Sequence, residues 1–288
     1  MFKFRCIFAV LLMISVFLSA PSYGYGINDP LIIGFKKVIK HLKNQDWKAI
    51  QSEVKTLEPQ IKNANIFLAA ELQKKFDNSI DKKSQESLAT TWITLTASSC
   101  RIHLWWNLHD DLKDRNKSKA RIDSINRLFK DVLGAPIKNI NADLHKKIAL
   151  TIAELRDSLG SPGVFGIGKV DTDHAKFFDH CLEFENLLFE IFPDTQAEWT
   201  KKITKENALT QARIFLNNSK RSKNFTMRYS ALSKALNALQ LLENNTWKTP
   251  FRKLYPLMGA PAEGKASEKA ADNSFAAAVD NILKEINK

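Results

Sequence analysis

The sequence predicts an all-α protein, a multi-helix bundle or a stack of helical hairpins. Three observations predict it. Apolar residues recur at i, i+3/i+4 through most of the chain, the pattern of a core-facing helix stripe. No stretch alternates convincingly at period two. The helix-length segments are separated by short capping and stop signals, which favour antiparallel neighbours.

The first residues stand apart. Met-Phe-Lys-Phe-Arg precedes an uncharged run from Cys6 to Ala20, followed by small residues at Ser22 and Gly24. A basic start, a short apolar core and small residues at the end read as a cleavable secretory signal over residues 1–24. The run is short for a membrane span, which needs about 20 apolar residues. The mature chain is therefore expected in the periplasm or outside the cell, without a transmembrane segment.

The rest reads as one helical domain over residues 25–262, then a small-residue linker and a C-terminal docking helix over 267–288. Leu31 to Lys43 carries Ile32, Phe35, Val38, Ile39 and Leu42 on one side. Asp46 suits a start before Trp47, and that helix stops near Pro59. A further helix is expected through Ile66, Ala69, Ala70, Leu72 and Phe76.

The central element is Thr91 to Leu112, entered near Ser84 and ending near Lys113. It holds Trp92, Trp105, Trp106, His103, His109 and Cys100, and contains neither Gly nor Pro. Leu88, Trp92, Leu95, Ser99, Ile102 and Trp106 form its expected buried stripe.

Arg121 to Leu133 and Asn141 to Leu159 are the next helices. Leu133-Gly134-Ala-Pro136, Leu159-Gly160-Ser-Pro162 and Met258-Gly259-Ala-Pro261 all read as stops, with Gly past the helix end and Pro soon after. Residues 127–136 align with 252–261 at four of ten positions. That partial repeat suggests two related halves, 25–160 and 169–262. Asp171 to Ile191 is expected as a helix capped by Asp171 or Thr172. Asp194 to Ser219 and Phe225 to Leu242 follow.

Composition narrows function. The formal net charge is +12, which favours anionic partners such as acidic proteins. Export argues against nucleic acid. With Cys6 lost in the leader, Cys100 and Cys181 remain, and two cysteines in an oxidising compartment are expected to pair as a disulfide.

No nucleophile motif or haem-attachment motif is present. The Gly163–Gly168 segment lacks the Gly-Lys-Ser/Thr ending and preceding strand of a phosphate loop. It reads as a loop whose Val164, Phe165 and Ile167 either tuck inward or form a partner site. Of the adjacent Trp105 and Trp106, separated by 100° on a helix, one could anchor an interface.

The leading expectation is a non-catalytic exported interaction protein, a scaffold or accessory subunit of an extracytoplasmic assembly, alone or as a homo- or hetero-oligomer, with no cofactor. The alternative is a periplasmic metal-binding or metal-delivery protein. It would use His174, His180 and Glu183, with His103 and His109 from the central helix, to hold zinc, copper or iron.

Overall fold

The computed structural model describes residues 29–68, 71–163, 167–191, 203–259 and 269–287. The leader over 1–24 lies outside these residues, as do Val164 and Phe165. The architecture is all-α. Among the described residues the only extended pairing is an isolated antiparallel bridge between Ser161 and Val170. No described helix is long and apolar enough to cross a membrane.

Local chemistry sets most helix starts. In α1 (Pro30–Lys43), Leu31 N donates to Asp29 Oδ1 at 2.9 Å. In α2 (Trp47–Thr56), Ala49 N donates to Asp46 Oδ1 at 3.0 Å. Each cap satisfies an N–H that the helix itself leaves without a partner. Pro59 then sits in the first turn of α3 (Glu58–Leu68), where its missing N–H costs nothing.

The expected single helix through Ile66 and Phe76 is instead two. α3 ends at Leu68, and α4 (Leu72–Asp81) begins afresh after Glu71. The Asn65 side chain, on α3, accepts from Leu72 N at 3.1 Å. A cap supplied by the preceding helix leaves no periodic signal.

Ser84 caps α5 (Gln85–His109), the longest helix among the described residues. It is buried around most of its circumference, because Ala97, Cys100, Leu104, Trp105 and Leu108 are buried as well as Leu88, Trp92, Leu95 and Ile102. Ser99 and Trp106, on the expected stripe, are only half-buried. The hydroxyls this brings into the interior satisfy themselves: Thr91, Thr96, Ser98 and Ser99 each donate to the carbonyl four residues back.

Asp114 caps α6 (Arg115–Leu128). The expected stop at Gly134 does not occur. Helix α6 runs through one π-helical turn (Phe129–Leu133) into α7 (Gly134–Ile140), with Gly134 at φ −62°. A Cβ on Gly134 would lie 3.0 Å from the Phe129 carbonyl oxygen and 3.4 Å from His145 Nε2. Glycine here serves close packing. The other two stops hold, with Gly160 at φ +68° and Gly259 at φ +78°. The two stretches of the partial repeat therefore differ in backbone at their matching glycines.

Asn141 caps α8 (Ala142–Asp157). Helix α9 (His174–Ile191) is capped by Asp173, not by Asp171 or Thr172: Lys176 N donates to Asp173 Oδ1 at 2.9 Å. Of the helix expected over 194–219, residues 194–202 lie outside the described residues, 203–207 are turn and coil, and helix α10 runs over Ala208–Arg221. It pairs with α11 (Phe225–Leu239), capped by Asn224. Then come α12 (Lys248–Arg252), a 3₁₀ turn (Tyr255–Leu257) and α13 (Lys269–Glu285).

One hydrophobic core runs from Leu31 to Ile286. Trp92 of α5 packs against Phe35 of α1 and Phe76 of α4, with ring centroids 6.0 and 5.7 Å apart. Three turns on, Trp105 meets Phe67 of α3 and Phe225 of α11 at 5.2 and 5.3 Å. The C-terminal helix joins this core through Phe275, Val279 and Ile282. The buried Arg228 of α11 lies 4.4 Å over the Phe275 ring, and Lys220 of α10 bonds Asp280 at 2.7 Å.

Candidate functional site

The α8–α9 hairpin carries most of the unspent chemistry. Its helices pack side by side, joined by the loop 158–173. The base of that loop is closely specified. Ser161 and Val170 exchange both backbone hydrogen bonds, at 2.9 and 2.8 Å. Arg115 of α6 donates to the Gly160 carbonyl, from Nε at 3.1 Å and from Nη2 at 2.5 Å. Thr172 Oγ1 donates to the Leu159 carbonyl at 3.1 Å.

Glycine is required at the base. A Cβ on Gly160 would stand 2.2 Å from the Val170 carbonyl oxygen, and one on Gly163 would stand 2.4 Å from that of Ile167. Beyond this base Ile167 is 82 % exposed and Val170 59 %. Of the three apolar loop residues expected either inside or at a partner, Ile167 thus projects outward.

Two helical turns into α9, and one turn before the end of α8, a second feature forms. His180 Nδ1 lies 3.4 Å from Glu154 Oε2 and 3.5 Å from Glu183 Oε2. One ligand atom from each of the three residues falls within 4.8 Å of the others. The His180 ring is 15 % exposed, against 37 % for Glu154 and 51 % for Glu183. His180 Nε2 is buried and has no protein partner; Nδ1 is the nitrogen that faces both carboxylates. Among the described residues, His180 is the one basic group paired with either carboxylate.

The His180-x-x-Glu183 spacing was legible; Glu154 was not. A signal existed. In an antiparallel hairpin, a residue three short of one helix end can come level with one six places past the next helix start.

The other expected ligands are dispersed. His174 pairs with Asp111, with Nδ1 to Oδ1 at 3.4 Å. The His109 ring stacks on Trp105 at 4.8 Å, and its Nδ1 lies 3.3 Å from Asp110. His103 is half-buried on another side of α5. Burial first, then Arg121 and Arg127, hold its imidazole below the usual range against the pull of Asp29. Asp110 is held low despite the opposing effect of burial, because Arg121 at 2.8 Å, His109 and Lys117 surround it.

The expected disulfide is absent: Cys100 and Cys181 are free and buried. Cys181 packs level with Leu104, Trp105 and Leu108, one to two helical turns along α5 from Cys100. Counting cysteines cannot register that offset. Desolvation, the largest effect at each, pushes both thiols well above their ordinary range.

Trp105 is buried in its own core. Trp106 is half-buried beneath Arg121, whose guanidinium lies 5.8 Å from the ring centroid. No family model, curated protein or solved structure matches the chain.

Proposed function

We propose that this chain is a non-catalytic, exported helical interaction protein, a scaffold or accessory subunit of an extracytoplasmic assembly, docking a protein partner through the 161–170 loop. The observation that carries the reading is Ile167, 82 % exposed beyond a loop base fixed by paired backbone bonds and Arg115. Apolar side chains held outward on a rigid base place contact area in water without the ordering cost of a free loop. The partner is a protein with an apolar cleft and an acidic rim, because the full sequence carries a formal charge of +12 and stays strongly basic without Lys3 and Arg5 of the leader. The apolar leader supports an exported compartment.

The test is a photo-crosslinking residue at position 167, with a second at exposed Gln51 on α2 as control. The expected result is one crosslinked species from position 167, the same protein that co-purifies stoichiometrically with wild type and is lost in Ile167→Asp. Wild type that purifies alone, with equal crosslinking from both positions, overturns the reading.

A further inference from the structure

We propose that Glu154, His180 and Glu183 form a binding site for a divalent transition ion of the zinc type, bridging α8 and α9. The inference stands on the hairpin alone and is independent of the docking reading.

The distances carry it. At 3.4 and 3.5 Å, His180 Nδ1 is too far from either carboxylate for a good hydrogen bond, which lies at about 2.7–3.2 Å. A single Nδ1–H shared between two acceptors at these distances makes only weak, bent bonds. The same separations fit the edges of a tetrahedron. Metal–nitrogen and metal–oxygen bonds of about 2.0–2.2 Å place neighbouring ligands about 3.4 Å apart. The Glu154–Glu183 edge, within 4.8 Å, closes by a side-chain rotation that two partly exposed glutamates can make.

The donor set selects the ion class. One imidazole with two carboxylates suits zinc, manganese or ferrous iron, and the Irving–Williams order places zinc above the other two. Magnesium and calcium, which take oxygen ligands, gain little from the imidazole. Two carboxylates around one imidazole also leave a net negative charge for a divalent ion to neutralise. Exposure of the glutamates leaves the fourth position to water. An ion held here ties α8 to α9.

The experiment is calorimetric titration of the chelator-treated full chain with Zn²⁺, repeated in a hundredfold excess of Mg²⁺ and Ca²⁺. The expected result is one Zn²⁺ per chain, undisturbed by the competing ions. Glu154→Gln and Glu183→Gln should each weaken binding by tenfold or more, with unchanged circular dichroism, since both positions are partly exposed. His174→Ala should bind as wild type does. The thermal midpoint should rise with added Zn²⁺ in wild type and not in the Glu154→Gln, Glu183→Gln double variant. Absence of saturable binding, or binding that survives the double variant, overturns the proposal.

Discussion

Arg101 of α5 and Glu185 of α9 form an ion pair inside the core, Nε to Oε1 at 3.3 Å, with side-chain exposures of 9 and 18 %. Arg101 also lies 5.0 Å over the Phe189 ring. Burial, the largest single effect, works against its charge, but Glu185 together with Tyr229 and Tyr255 outweighs it and holds the guanidinium above its ordinary value. Burial likewise pushes the neighbouring Tyr229 hydroxyl up to about 12. The pair is thus the polar link between the central helix and the hairpin that carries both proposed sites.

Removing one member strands the other's charge. Glu185→Gln should cost about 3 kcal/mol or more, as broken buried pairs do. Arg101→Met with Glu185→Leu should cost less than the single change, since no charge is left uncompensated. Urea denaturation of the three proteins checks the order. A double variant less stable than Glu185→Gln would contradict it.

The thiols give a second prediction. Cys100 and Cys181, both buried with raised pKa, should resist an alkylating reagent in native buffer and react in denaturant. The denatured, unreduced chain should have the mass of the dithiol. A mass lighter by two hydrogen atoms would restore the disulfide.

His103 predicts a pH dependence. Its folded pKa is depressed, so the unfolded chain binds a proton more readily. Stability from this group is fully present above the unfolded value of about 6.5 and is lost as pH falls through the lower folded value. The denaturation midpoint should therefore drop below about pH 6.5, and His103→Gln should flatten the drop. An unchanged slope in that variant would assign the effect elsewhere.

Gly160→Ala tests the loop base. At φ +68°, with the new Cβ 2.2 Å from the Val170 carbonyl, the bridge to Ser161 must open. The cost should exceed about 1 kcal/mol, and amide exchange at Val170 should accelerate. Gly168→Ala has nothing within 4 Å of its Cβ; at φ +74° it should cost only the backbone strain, about 1 kcal/mol.

These cases show how far the sequence reaches. Helix identity was legible because period 3.6 and capping residues are local: Asp46, Ser84 and Asn141 each cap where their spacing predicts. Legibility failed where a distant residue supplied the deciding contact. Asn65 starts α4 from another helix, and Glu154 completes a cluster begun by His180 and Glu183. Pairing Cys100 with Cys181 failed for the same reason, since their heights along α5 are set by helix packing.

The measurement that bears most directly on the docking function is native mass spectrometry of wild type and Ile167→Asp, each purified from its own exported compartment. Ile167 is exposed, so the substitution should leave the fold and thermal midpoint intact. The account predicts that wild type carries a second protein at fixed stoichiometry and that Ile167→Asp is recovered as the bare chain. Wild type recovered as a monomer, with the same mass spectrum as the variant, would contradict it.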